Sequence, residues 1–324
     1  MSRKRFVWIL IISVIVICAT AAAAVLLIRH PVSITKETEW AIAIYQGDSY
    51  FKVYPVPGIQ NPVIRGSDVT DVKADYVADP FMVQSGETWY MFFEVMNSLS
   101  QQGDIGCAIS RDGLHWKYQR IVLDESFHLS YPYVFQWEGQ FYMIPESAKA
   151  GAILLYQAVD FPYSWTLVSK LIMGAFADNC VFYENGTWWM LTCGKPYAHD
   201  ELRLFFADRL IGPWTEHPAS PVVQGDPTKS QSGGRVLVVN NDIIRFAHDD
   251  LRTYGKKVQA FLITELSRTK YTEREYEGNP ILSAQGRGWN RHGMHHIDAH
   301  EISPGRWLAV VDGYRKRLVL RMEY

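Results

Sequence analysis

Asp79 and Glu94 lie fifteen residues apart, and the same interval separates Tyr131 from Glu146, Asp178 from Cys193, Gly233 from His248 and Ile297 from Asp312. Asp298 stands one step from Ile297. Arg235 stands two steps from Gly233, where a strand would put both on one face. Acidic, basic and phenolic groups recurring at one interval can converge on a single place, and convergent carboxyls shift one another's proton affinities. Glycoside cleavage calls for such a set, with one carboxyl that keeps its proton and a second that is ionised. Asp79, Glu94, Glu146, Asp178, Asp298 and Asp312 are the carboxyl candidates. The abundant Trp and Tyr rings would cover the apolar faces of a sugar.

The elements that must position these groups are short hairpins. ADPFMVQSGETWYMFFE (78–94), SYPYVFQWEGQFYMIPES (130–147), ADNCVFYENGTWWMLTC (177–193), GGRVLVVNNDIIRFAH (233–248) and HIDAHEISPGRWLAVVD (296–312) each read as strand, tight turn, strand. Asn185-Gly186 in particular supplies the positive φ angles that a two-residue hairpin needs. Residues equidistant from such a turn face each other, so Asp79 is expected opposite Glu94, Tyr131 opposite Glu146, and so on. A second hairpin follows each of the first four, with Trp116, Trp165, Trp214 or Tyr271 after its turn.

Five four-stranded antiparallel units in series predict an all-β fold, a five-bladed β-propeller over residues 38–324. A β-sandwich would not align five equivalent hairpins. Only residues 318–324 follow the last inner hairpin, so WAIAIY (40–45) is expected to supply the missing outer strand and close the ring. The polar hairpin ends then collect at one mouth of the central channel, the kind of place where ligands bind. A solvated strand end would need no such alignment.

Residues 6–28 carry no charge and are long enough to span a bilayer as a helix. The run exceeds that of a cleaved signal peptide, so it is read as one N-terminal transmembrane helix that stays attached. SRKR before it places residues 1–5 in the cytoplasm; 29–37 form a linker, and the propeller is extracytoplasmic. A net charge of −2 without a basic run past residue 5 speaks against a nucleic-acid partner. Cys107, Cys180 and Cys193 are no disulfide framework, although a Cys180–Cys193 bridge and buried thiols both remain open. In HGMHHIDAH (292–300), His296, Asp298 and His300 alternate and would share a strand face. Hydrogen-bonded structure explains that composition as well as a channel-bound ion does, so no cofactor is expected and no metal ligand is assigned.

ADPF, GDIG with SRDGLHW, LSYPYVF, MIPES and the GGR at 233–235 occur here in the order in which they occur in the N-terminal domain of plant glucosamine inositolphosphorylceramide transferases, which this chain resembles over most of residues 75–260. That domain looks like a member of the five-bladed furanosidase-type propellers, which include arabinanases and invertases. ADP at 78–80 resembles their first-blade motif, which implies that Asp79 is base or nucleophile. DRLIGPW (208–214) is similar to their outer-strand turns. Two departures stand out. The hydrolases draw a catalytic Glu from the start of a later inner strand, where this chain has Tyr131, Asp178, Gly233 and Asp298. The plant transferases assign sugar transfer to a separate C-terminal domain, not expected in this chain.

Two expectations follow. One is a membrane-anchored glycoside hydrolase or glycosyl transferase, with Asp79 as base or nucleophile, Glu146 as proton donor and Asp178 tuning proton affinity or holding a hydroxyl. Glu94, Tyr131, Arg235, His248, His296, Asp298 and Asp312 would bind substrate. The other is a non-catalytic propeller that binds a glycan or glycolipid and assists a separate glycosyltransferase.

Overall fold

The computed structural model describes Trp8, residues 12–20 and residues 32–322. Most of the 6–28 apolar run lies outside the described residues. Among the described residues no helix is long and apolar enough to cross a membrane. The chain divides into two compact units. Glu39–Arg315 is one, and Met1–Thr38 with Lys316–Tyr324 is the other. In the second, Thr35 donates to the Val319 carbonyl at 3.5 Å and Arg317 lies 3.9 Å from Glu37.

Five antiparallel sheets make up the first unit. Counted outward from the channel, blade I comprises Ala74–Ser85, Thr88–Asn97, Gln102–Ser110 and Lys117–Leu123. Blade II comprises Ser130–Trp137, Gln140–Glu146, Ala152–Asp160 and Ser164–Met173, and blade III Ala177–Glu184, Thr187–Cys193, Glu201–Ala207 and Thr215–Glu216. Blade IV begins with a broken strand, Gln231–Ser232 and Leu237–Val239, followed by Asp242–His248, Lys257–Leu266 and Tyr271–Glu275. Blade V joins Ile297–Ser303 and Arg306–Met322 to Val32–Ser49 and Lys52–Pro55. The innermost strands touch in ring order, and blade V meets blade I again. This is the five-bladed propeller.

The closure differs from expectation in one respect. Residues 318–322 continue the second strand of blade V, and the N-terminal segment supplies both outer strands. The run from Arg306 contains no turn residues after Gly313 that would fold it back, so it stays extended.

Each blade is packed on both faces by its neighbours, which explains why the inner strands read as nearly unbroken apolar runs. Between blades V and I, Ile42, Ile44, Met82, Met91, Leu308 and Val310 are buried together. The three tryptophans that follow the outer turns do equivalent work. Trp116, Trp165 and Trp214 each donate the indole N–H to a turn carbonyl, of Gly113, Pro162 and Leu210 respectively. In the SRDGLHW turn, Asp112 accepts from the N–H groups of Leu114 and His115, a folding role.

The channel is closed by polar side chains that bridge blades. Arg235 (blade IV) meets Asp298 (blade V) at 2.7 Å, donates to the Val134 carbonyl of blade II at 2.9 Å, and lies over the Tyr133 ring. Asp298 also accepts from the Met82 N–H of blade I at 2.6 Å and contacts His300 at 3.0 Å. Removing one member of a buried pair leaves the other uncompensated, at a cost of about 3–5 kcal/mol. Arg235→Met is therefore expected to lower the unfolding free energy measured by urea titration by an amount of that order, and adding Asp298→Asn should restore part of it. Equal free energies for Arg235→Met and the parent would show that the pair does not tie the ring together.

Candidate functional site

Three blades carry the same local device. In ADPF, SYPY and ADNC one residue adopts left-handed backbone: Asp79 at φ 53°, Tyr131 at 44° and Asp178 at 52°. The ladder skips at each place. Ala78 pairs with Glu94 and then Phe81 with Phe92; Ser130 pairs with Glu146 and then Tyr133 with Ile144; Ala177 pairs with Cys193 and then Cys180 with Leu191. Each is a β-bulge, an extra residue that re-aims a side chain. The direct opposition of Asp79 to Glu94, and of its sister pairs, is thereby corrected: the residue before the bulge holds that place. Left-handed backbone costs a non-glycine residue about 1–3 kcal/mol, so these bulges are held by their surroundings. Asp312 of blade V is one such support, accepting the Asp79 N–H at 2.9 Å.

Blade IV departs further. His248 pairs with Gln231 rather than Gly233. The chain leaves the ladder at Gly233 and Gly234 to reach blade V, where Gly234 bridges Ile297. A Cβ on Gly234 would stand 1.8 Å from the Ile297 carbonyl oxygen, so this crossing requires glycine.

Asp79, Glu94, Glu146 and Asp178 come together around one cavity of about 360 Å³ at the mouth. Trp40, Tyr76, Tyr197 and Tyr254 supply aromatic walls, and His128, Lys149, His199, Gln231 and His295 complete the polar lining. Burial pushes the Asp79 carboxyl up to about 7, against the pull of His295. Glu146 is likewise raised by burial to about 7, although Ser130 donates to it at 2.7 Å. Burial, with the nearby charges of Asp79 and Glu146, holds Glu94 well above the usual carboxyl range.

Two histidines stand behind the acids in matching arrangements. His248 Nδ1 meets Asp250 at 2.9 Å and its Nε2 faces Asp178 at 3.7 Å. His295 Nδ1 meets Asp312 at 2.7 Å and its Nε2 faces Asp79 at 3.5 Å. Burial works against charge on both rings. The aspartates outweigh it, pushing His248 up to about 10 and raising His295. The rings lie 5.2 Å apart, and Trp40 stacks on His295 at 4.0 Å.

The remaining expected residues lie elsewhere. Arg235 and Asp298 belong to the channel bridge described above. Tyr131 is buried below the mouth, where its hydroxyl donates to the Gly234 carbonyl, accepts from the Gly234 N–H and touches Cys180 Sγ, each at 3.0 Å. His296 is buried against Phe81 and Tyr131, and neither ring nitrogen has a hydrogen-bond partner. His296 precedes the strand, which begins at Ile297, whereas Asp298 and His300 lie within it and meet at 3.0 Å. Cys107, Cys180 and Cys193 are free and buried. Asp79, His295 and Asp312 each offer an atom to a metal ion, all within 4.8 Å. Their mutual contacts are those of hydrogen-bonded and ion-paired groups.

His295, Asp250, Trp40 and Tyr254 were not singled out by spacing. His295 is the neighbour of a nominated histidine and Trp40 opens the strand expected to close the ring, so for these two the sequence signal lies within one step.

Residues 33–314 match the family described as glucosamine inositolphosphorylceramide transferase 1, N-terminal. The chain belongs to that family. It is 34% identical over 300 residues to glucosamine inositolphosphorylceramide transferase 1 of Oryza sativa subsp. japonica, which covers 86% of this chain and 40% of the relative. The Arabidopsis thaliana protein of that name is 32% identical over 300 residues, covering 86% and 39%. The chain thus spans about 40% of the length of the curated relatives it matches. Among solved structures, a putative glycosidase from Bacteroides thetaiotaomicron superposes with a TM-score of 0.58 at 14% identity, covering 82% of this chain and 96% of that one. A Cellvibrio cellulosa α-L-arabinanase mutant gives 0.52 at 16% identity, covering 75% and 90%. At these identities the likeness bears on the propeller fold.

The raised groups fix how stability should follow pH. In an unfolded chain carboxyls titrate near 4 and histidine near 6.5. Folded Asp79 and Glu146 keep their protons to about 7, so the native state binds more protons and loses stability as pH rises from about 4 to 7. His248 contributes stability below about 6.5 that is lost as pH climbs towards 10. The melting temperature is expected to fall from pH 5 to pH 9. In Glu146→Gln the fall below pH 7 should shrink while that above it persists. An identical profile in the variant would count against the protonated Glu146.

Proposed function

We propose that the mouth cavity binds a glycosyl unit and acts on its glycosidic bond. The observation that carries this reading is the gathering of four carboxyls around one aromatic-walled cavity, two of them poised near 7. A carboxyl poised there can serve as acid or base at neutral pH. Glu146, protonated, gives its proton to the leaving oxygen. Asp79, held towards its ionised form by the His295 cation, takes a proton from the attacking water or attacks the anomeric carbon itself. Asp178, beside the His248 cation, holds a sugar hydroxyl and keeps the field around Glu146 negative. Acid and base are both side chains, so the reaction as written draws on no resident cofactor. The name of the relatives pairs a sugar with an inositolphosphorylceramide, which supports a glycan or glycolipid as the ligand of this cavity. In this reading residues 6–28 hold the chain in a membrane, with the N-terminus cytoplasmic and the propeller outside the cytoplasm.

A second reading has its own support. The chain matches the N-terminal part of a transferase family and spans about 40% of its relatives. Blade II also carries Tyr131 at a bulge where blades I and III carry acids. This reading makes the cavity a glycan-binding site that serves a separate glycosyltransferase.

The two readings separate in one experiment, in which the full chain is given labelled glycolipids and oligosaccharides, and binding and released product are both measured. Turnover that falls about 10²–10⁴-fold in Asp79→Asn and in Glu146→Gln, with binding largely kept, supports the first. Binding by the parent and both variants without product from any of them would leave only the second.

A further inference from the structure

Blade II breaks two local rules at the turn farthest from the mouth. Trp137 forms the last ladder pair before that turn, with Gln140. The equivalent residue is Ser85 in blade I, Glu184 in blade III, Val239 in blade IV and Ser303 in blade V. The four sister turns thus fold without an aromatic ring at this position. Glu138 follows at φ 48°, a conformation that asparagine adopts more readily, as Asn185 does at φ 50° and Asn240 at φ 51°. A large half-buried ring and a strained glutamate, side by side, are not what the hairpin needs in order to form. Trp137 gains packing against blade III, but the strained Glu138 gains no contact, and such departures from local rules tend to mark functional positions.

Both residues face one cavity. Trp137 meets Tyr183 and Trp188 of blade III with ring centroids 4.8 and 4.7 Å away. Tyr183 is 41% exposed. These rings wall a cavity of about 310 Å³, rimmed by Glu138, Asp208 and Arg209. Asp208 pairs with Arg268. Among the described residues, neither Glu138 nor Arg209 has a side-chain hydrogen bond or ion pair. An aromatic corner therefore stands beside a carboxylate and a guanidinium that are free to bond a ligand.

We propose that this cavity is a second carbohydrate-binding site, taking one pyranose unit of a glycan at the end of the propeller opposite the mouth. The ring faces cover the apolar C–H surface of the sugar. Glu138 accepts from its hydroxyls, and the planar fork of Arg209 donates to two oxygens at once. The volume lies at the small end of ligand pockets, which suits a single ring rather than a peptide segment. No residue is shared with the mouth cavity, so the proposal stands independently of the reading given for that site.

The test is to probe the full chain on an array of immobilised oligosaccharides built from glucose, galactose, mannose and arabinose. The parent should bind, whereas Tyr183→Ala and Arg209→Ala should weaken at least one class of glycan tenfold or more. Trp137→Phe should keep binding that Trp137→Ala loses. Arg209 is exposed and unpaired, so Arg209→Ala decides the matter even where Trp137→Ala does not fold. The proposal is overturned by an array on which nothing binds, or by affinities that Arg209→Ala and Tyr183→Ala leave unchanged.

Discussion

The innermost strand of every blade has one edge without a sheet neighbour, and in a closed ring those five edges face a common channel. Backbone N–H and C=O groups buried there need partners, because leaving them unpaired costs as much as a lost hydrogen bond. The chain answers with side chains from other blades. Asp312 takes the N–H of Asp79, and Asp298 takes that of Met82. Arg235 serves the carbonyls of Val134 and Met82, and the Tyr131 hydroxyl serves both backbone groups of Gly234. Each bond joins two blades, so satisfying the edges and closing the ring are one operation.

That constraint divides the polar residues by depth. Those that serve the edges, among them Arg235, Asp298 and Tyr131, are committed partners and fill the channel. The bulges lift Asp79 and Asp178 out of this role and turn them to the mouth, where Glu94 and Glu146 meet them. Charge follows the same division. The deeper acids are matched by Arg235 and by the inner nitrogens of His248 and His295. The mouth acids outnumber the cations left to them, and burial favours the neutral form. A ring of carboxyls that cannot all ionise at once is a consequence of how the channel is filled.

The hairpins were legible because turn chemistry is local: Asn185-Gly186 and the recurring tryptophans need no knowledge of the rest of the chain. The mouth was legible at a resolution of about one residue. Counting from a turn assumes an unbroken ladder, and a bulge violates that assumption without changing composition, so the fifteen-residue interval located Asp79 and Asp178 correctly while misplacing what lies opposite them. His295 escaped for a related reason. Alternation over 292–300 presumes one strand throughout, but the strand begins at Ile297, and ahead of it His295 is placed by Asp312, Trp40 and His248. Asp250 and Tyr254 lie on a loop whose position only the assembled ring defines.

Blade II is instructive because its four sisters serve as internal controls. All five inner hairpins solve the same folding problem, so a residue that only one of them carries is not required by that problem. At the mouth end this blade has Tyr131 in a left-handed conformation that an aspartate would tolerate better, and the tyrosine is tied to Gly234 and Cys180. Here the departure has a structural return, since the phenol reaches across the channel to a strand that has left its own ladder. At the turn end Trp137 packs on Tyr183 and Trp188 of blade III, but the left-handed Glu138 has no comparable return. The first departure is therefore accounted for by closure of the ring, whereas the strained Glu138 beside an exposed aromatic corner calls for a ligand. Applying one test to both ends of a single hairpin separates strain that folds the protein from strain kept for something outside it.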